Sequence, residues 1–307
     1  MTPIHEIHVE GNRNHIYLKR EDLLPFSFGG NKVRIAKKFF EDMAATGKDC
    51  MVGYGNARSN LSRALANICC SGGVECHIIS PADEDGSRTE TANSRIGSIC
   101  NAEFRYCRKE DVAGTVETVL AECRARGKEP YYIYGDKYGY GNEAVPVRAY
   151  VEAYEEIRCQ GSGMGIEFDY IFLATGTGMT QGGLIAGQRK FGGQERVIGI
   201  SVARKAKLAS SKIRKYVEAY EGAAPNHLQI NVLDCYLAGG YGLYNAEICR
   251  AIREAMSLNG VPLDVTYTGK AFWGMCDYIR KAEIRDKNIL FLHTGGTPLF
   301  FDGLKFL

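Results

Sequence analysis

The sequence predicts an α/β chain built on mostly parallel sheets with helices on both faces. Three observations carry that expectation. Short apolar runs alternate with longer stretches whose apolar residues recur at helical spacing. The loops between them are rich in Gly, Ser, Thr and Asn, and several fall where a strand leads into a helix. The composition is that of an ordinary folded protein, with 45% hydrophobic and 24% charged residues. At roughly 150 residues per domain, a 307-residue chain suggests two domains.

The elements follow in order. HIYLKR (15–20) reads as a strand, and 30–46 as a helix carrying Val33, Ala36, Phe39, Phe40 and Met43. DCMVGYG (49–55) is the next strand, followed by a helix with Leu61, Ala64, Leu65 and Ile68. VECHIIS (74–80) is again a strand. A helix then carries Val112, Val116, Val119, Leu120 and Cys123, and YYIYG (131–135) follows it. DYIFLATG (169–176), RVIGISV (196–202) and NILFLHTGG (288–296) read as buried strands, most of them followed by helices. Such alternation implies right-handed crossovers, and ligands bind beyond the carboxyl ends of the strands. There is no internal repeat and no obvious linker; the stretch 158–168 (RCQGSGMGIEF) is the expected crossing between domains.

Composition also narrows the function. Lys+Arg 38 against Asp+Glu 36 leaves a net charge of +2, with no basic stripe for nucleic acid or an acidic membrane. The first twenty residues hold no apolar core of signal-peptide length, and no run approaches the roughly 18 apolar residues of a membrane span. Eleven cysteines, an odd number without a C-x-x-C pair, read as reduced thiols in a cytoplasmic protein. No metal site is expected: His5, His8 and His15 lack carboxylate or Cys support, and there is no H-E-x-x-H. No G-x-S-x-G elbow marks a hydrolase.

Four loops could carry chemistry, and each has a plain alternative. ATGTGMTQGG (174–183) ends a strand and opens a helix, so its N–H groups could cradle a phosphate; a simple glycine turn is the alternative. It lacks the Lys of a nucleotide loop and misses the dinucleotide spacing by one residue. FGGNKVR (28–34) puts Lys32 at a helix start, where the positive helix end destabilises an ammonium. If also desolvated, such a lysine can form a Schiff base with a carbonyl; an exposed lysine is the alternative. In NARSN (56–60), Ser59 and Asn60 could cap a helix or face a ligand. Tyr241 (AGGYGLY) and Tyr267 (TYTGK) lie in Gly-flanked loops and serve either packing or a site.

Together these loops are far more specific than singly. KRED (19–22) followed by FGGNKVR resembles the pyridoxal-phosphate enzymes related to D-cysteine desulfhydrase and 1-aminocyclopropane-1-carboxylate deaminase. The order continues in that family's pattern: Ser59-Asn60 opening a helix, the Gly/Thr loop 176–180, Tyr241, Y-x-G-K (267–270) and H-T-G-G (293–296). The resemblance implies the two-domain tryptophan-synthase-β fold. Residues 1–46 and 161–307 would form the larger, cofactor-binding domain and 47–160 the smaller one. Lys32 would hold pyridoxal 5'-phosphate as a Schiff base and act as the α-proton base. Asn60 would bond the ring hydroxyl. Gly176, Thr177, Gly178, Met179 and Thr180 would surround the phosphate. Ser59 would sit near the substrate carboxylate, and Tyr241 and Tyr267 on the substrate side of the ring. A homodimer acting on a small amino acid is also implied.

Two positions sort the chemistry. Deaminases of this group resemble one another in having Glu where Thr268 stands and Leu where Thr294 stands. The hydroxyl pattern here is similar to the desulfhydrase branch and favours β-elimination. A carboxylate near the pyridine nitrogen would keep it protonated, and a neutral hydroxyl would not. Two positions depart from the pattern: Arg58 replaces the usual Gln before the Ser-Asn pair, and Leu61 the usual polar residue after it. Arg58 could recognise an extra anionic group on the substrate. The rival readings are a β-replacement synthase on an activated serine or cysteine, ring-opening deamination, a nucleotide-binding oxidoreductase, and a catalytically silent binder.

Overall fold

The structure is a computed structural model that describes residues 1–82, 89–225 and 227–307. It divides into two compact units, Met1–Asn31 with Val147–Leu307, and Lys32–Pro146.

The larger unit is built on a six-stranded sheet. Its strands are β1 (Ile4–Ile7), β2 (His15–Arg20), β7 (Tyr170–Thr175), β8 (Arg196–Ser201), β9 (Asn231–Leu233) and β10 (Asn288–His293). Their order across the sheet is β1-β2-β10-β7-β8-β9. Only β1 runs antiparallel to its neighbour among these strands. The helices are most of α5 (Ala144–Met164), with α6 (Met179–Phe191), α7 (Ala206–Glu221), α8 (Ala246–Asn259), α9 (Thr268–Lys281) and α10 (Thr297–Gly303). Ile16, Leu18, Phe172, Ile198, Ile200 and Phe291 from the strands share one apolar cluster with Ile248, Ile252, Phe272 and Met275 from α8 and α9.

The smaller unit holds α1 (Asn31–Ala45) from its second residue onward. It also holds β3 (Cys50–Tyr54), α2 (Asn60–Ser71), β4 (Glu75–Pro81), α3 (Ala92–Ile99), β5 (Glu103–Cys107), α4 (Val112–Ala125) and β6 (Pro130–Tyr132). The four strands are all parallel, in the order β5-β4-β3-β6. Strand side chains alternate between faces. Gly53 faces Leu65 of α2, and Cys50, an odd number of residues away, faces Cys123 of α4. The sheet is therefore covered on both sides, which is why its central strands β3 and β4 are mostly buried along their length.

The expected strands and helices are present, and the sheets are mainly parallel. Three differences stand out. The stretch 158–168 is not a crossing: α5 runs on to Met164, and the chain passes between units after Pro146, in the first turn of that helix. A proline is tolerated there because its missing N–H has no helical partner to lose. The strand expected at 131–135 ends at Tyr132, and the chain then turns through Gly135. The histidines of the N-terminal segment lie on or beside a strand, where His15 Nδ1 is 2.8 Å from Glu6. No helix among the described residues is long and apolar enough to cross a membrane.

Candidate active site

Parallel strands end at one edge of their sheet, so the loops that follow them gather there. In the larger unit His293, the end of β10, pairs with Arg20, the end of β2, and β7 lies on the other side of β10. The KRED segment, the Gly/Thr loop and the H-T-G-G loop thereby become neighbours.

KRED supplies the wall rather than the chemistry. Lys19 is fully buried, ion-paired with Glu156, and donates to Thr2 O at 2.7 Å. The Glu21 carboxylate accepts from Thr2 Oγ1 at 2.7 Å and Tyr150 Oη at 2.8 Å. Arg20 pairs with Asp22 at 2.7 Å. Burial alone would raise the Asp22 carboxyl, but His293 and Arg20 outweigh it and hold it below the usual carboxylate range. His293 has Nε2 2.8 Å from Pro262 O and accepts from Gly295 N on Nδ1. These partners, with Asp22 Oδ1 3.5 Å from Nδ1, hold the ring in place and make His293 a structural group at the strand end.

The FGG turn then meets the H-T-G-G loop backbone to backbone. Gly30 N donates to Glu21 O at 2.7 Å, and Asn31 N to Thr294 O at 3.0 Å. Gly295 has φ +98°, and a Cβ there would stand 2.5 Å from Gly30 Cα. Only glycine fits that approach. Thr294 is buried in this contact. Asn31 opens α1 and donates from Nδ2 to Thr180 Oγ1 at 2.8 Å, so the residue before Lys32 is tied to the Gly/Thr loop. Lys32 follows directly, half-buried in the first turn of α1.

The Gly/Thr loop enters α6 through Gly178, at φ +93°, with no side chain capping the helix. Gly176 O accepts from the Arg204 guanidinium. Met179 and Thr180 are buried in the first turn. First-turn N–H groups without a side-chain cap, a threonine hydroxyl and the positive end of a 13-residue helix make a donor set that fits a phosphate.

Tyr241 and Tyr267 come together, their hydroxyls 2.5 Å apart and their rings edge to face. Two residues the sequence reading passed over hold them. Asp264 is completely buried and accepts from the N–H groups of Thr266, Tyr267 and Thr268. Burial pushes its carboxyl up, against the pull of those hydrogen bonds. Thr268 Oγ1 donates to Asp264 Oδ1 at 2.8 Å and accepts from Asp264 N at 2.9 Å. The Thr268 hydroxyl thus also holds the turn that carries Tyr267. Lys270, 0% exposed, donates to Leu237 O at 2.7 Å and Gly240 O at 2.8 Å, pinning the Tyr241 loop. Burial draws its ammonium down to about 8, with Asp264 pulling the other way.

In the smaller unit the loop after β3 carries Arg58, Ser59 and Asn60. Ser59 is the N-cap of α2, its Oγ accepting from Ser62 N at 3.1 Å. Asn60, 8% exposed, accepts on Oδ1 from Asn93 Nδ2 at 3.0 Å, which turns its NH2 away from Asn93. Asn93 also donates to Arg58 O at 3.1 Å. Arg58 is half-buried, with Nη2 3.5 Å from Thr89 Oγ1. Leu61 is buried and offers no polar group. Nothing in the local sequence marks Asn93 or Asp264; Lys270 was visible as the end of Y-x-G-K, and Asn31 as the residue between Gly30 and Lys32.

Comparison with known proteins places the chain in a family. A 1-aminocyclopropane-1-carboxylate deaminase of Methylobacterium sp. (strain 4-46) is 30% identical, over 94% of this chain and 88% of its own. A D-cysteine desulfhydrase of Yersinia pestis (strain Pestoides F) is also 30% identical, over 93% and 88%. A crystal structure described as an ACC deaminase homologue superposes with a TM-score of 0.82 at 28% identity, covering 98% of this chain and 91% of that one. The family model of the pyridoxal-phosphate dependent enzymes matches residues 1–295, and the chain belongs to that family.

Proposed function

We propose that this protein is a pyridoxal-phosphate-dependent lyase of the desulfhydrase type. It would take a small cysteine-like amino acid to a keto acid, ammonia and sulfide. The observation that carries the reading is the junction of three loops around Asn31, which places Lys32 one residue from a contact with the phosphate-type loop.

Bound pyridoxal phosphate supplies an electron sink for the substrate's α-carbon. The chain's own groups divide the remaining work. The first turn of α6 would bind the phosphate through backbone N–H groups, with Gly176, Thr177, Gly178, Met179 and Thr180 around it. Lys32 Nζ would hold the cofactor and move the α-proton. The Asn60 NH2, oriented by Asn93, would orient the ring hydroxyl. Ser59, as a cap with a fixed hydroxyl, would lie toward the substrate carboxylate. The Tyr241–Tyr267 pair shares a short hydrogen bond and can hold or pass a proton. Arg58 would meet an anionic group on the substrate.

Elimination is favoured over ring opening because positions 268 and 294 carry neutral hydroxyls. A good leaving group on the β-carbon asks for less carbanion stabilisation than a cyclopropane ring. The chain would work as a homodimer in the cytoplasm; its eleven cysteines are all free, which suits a reducing compartment.

The test is a panel assay on the purified holoenzyme with D-cysteine, L-cysteine and 1-aminocyclopropane-1-carboxylate. Sulfide and keto acid from one cysteine enantiomer, with the cyclopropane turned over far more slowly, is the expected result. Equal turnover of both substrate classes overturns the elimination reading.

A further inference from the structure

The carboxyl edge of the four-stranded sheet leads into the Ser59–Asn60 loop; the amino edge of the same sheet carries a second chemical cluster. Cys50 opens β3 and Glu75 opens β4, and the two are paired in register. His77 lies two residues along β4, on the same face as Glu75. Cys123 comes down onto that face from the last turn of α4. We propose that Cys50, Glu75, His77 and Cys123 form a binding site for a tetrahedral divalent metal of the zinc class.

The donor set is the first reason. Two thiols, an imidazole and a carboxylate are the ligands zinc takes in closed four-coordinate sites. One donor atom from each of the four residues lies within 4.8 Å of all the others. The two sulfurs are 3.6 Å apart, too far for a disulfide. That is close to the ~3.8 Å tetrahedral edge that Zn–S bonds of about 2.3 Å would give.

The surroundings are the second. Cys50 and Cys123 are fully buried and His77 is 1% exposed. His77 Nε2 lies 2.6 Å from Glu75 Oε1. Its other nitrogen, Nδ1, is buried without an aligned hydrogen bond and stands 3.1 Å from Glu103 Oε2. A carboxylate behind a metal-bound histidine is the usual outer partner that fixes ring and tautomer. The carbonyl end of α4 adds negative potential at Cys123.

A cation already sits at the mouth of the cluster. The Arg126 guanidinium contacts Glu75, and its Nη2 is 3.3 Å from His77 Nε2 and 3.7 Å from Cys123 Sγ. Its side chain is 45% exposed, so it can give way to solvent when an ion enters. As each sulfur–metal bond forms, the thiol gives its proton to solvent. The four ligands come from β3, β4 and α4, scattered along the chain, which is why no spacing motif announced them and no metal was expected.

The test is titration of the holoenzyme with Co2+ and then Zn2+. Tetrahedral thiolate-bound Co2+ gives visible bands to the red of the cofactor's absorption. The expected result is one ion per chain, displaced by Zn2+, with Cys123→Ser abolishing the bands and His77→Ala weakening binding by at least ~10-fold. Arg126→Ala, a surface change that leaves folding and lyase activity intact, should tighten binding several-fold by removing the competing cation. Absence of the bands, bands unchanged in Cys123→Ser, or weaker binding in Arg126→Ala would each overturn the site.

Discussion

Two lysines of this protein stand in the first turn of a helix just behind glycine, and their surroundings are opposite. Lys32 follows Gly29, Gly30 and Asn31 into α1 and is half-buried. Lys270 follows Gly269 into α9, is wholly buried, and spends its donors on the carbonyls of Leu237 and Gly240. By residue type and helix position the two are alike. What separates them is the third dimension: one holds a loop by its ammonium, while the other follows a turn that three loops build together. The helix end and burial both weaken an ammonium, so a depressed lysine is not by itself a catalytic one. Lys270 is the case in hand, drawn down to about 8 while serving as a strut.

Substitutions can break or sharpen this contrast. The largest effect belongs to Lys32→Ala. It should abolish the yellow absorbance of lysine-bound cofactor and cut turnover by about 10²–10⁴-fold or more, the range for losing a general base. Activity near wild type in that variant would end the distinction. Gly295→Ala attacks the turn that presents Lys32. The added Cβ would collide with Gly30 Cα at 2.5 Å, and the positive φ alone costs about 1–3 kcal/mol. Thermal unfolding should show a clear loss, with cofactor retention falling as well. Lys270→Met keeps the volume but removes two hydrogen bonds, leaving the Leu237 and Gly240 carbonyls only their backbone donors, Gly240 N and Leu243 N, a cost of about 1–3 kcal/mol for the two. The cofactor colour should survive, while KM and kcat shift through the loosened Tyr241 loop. Complete loss of colour in Lys270→Met would mean that the roles have been assigned the wrong way round.

The smallest effect is a pH dependence behind the FGG turn. Asp22 is held below the ordinary carboxylate value, so it stabilises the fold fully above about pH 4. That contribution fades as pH falls through its lower folded value. Asp22→Asn should flatten the acid limb of a stability–pH curve recorded by denaturant unfolding. An unchanged limb would show that the Arg20–Asp22–His293 group adds nothing there.

The same contrast explains what the sequence could and could not tell. The buried central strands β2, β3, β4, β7, β8 and β10 were legible because both faces are covered and their residues run apolar. The overlooked strands β1, β5 and β9 are all sheet edges, short and mixed in polarity. Edge strands satisfy only one side, so their sequences carry a weaker signal. The end of α5 read as a linker because Gly161, Gly163 and Ser162 look like punctuation, yet tertiary packing carries the helix through them. At the site, the loop residues were legible because glycine and lysine at a strand–helix junction have few other uses. Asp264 and Asn93 were not, and Lys270 was visible only as the end of Y-x-G-K, since their importance lies in which distant carbonyls and amides they reach. The Cys50–Cys123 cluster was hidden for the same reason.

The central claim is that one particular lysine carries the cofactor. Borohydride reduction of the purified holoenzyme makes the lysine–cofactor linkage permanent, and peptide mass spectrometry then locates it. The added mass is expected on the peptide containing Lys32 and on no other. The same mass on Lys270, or on any lysine outside the first turn of α1, would contradict it.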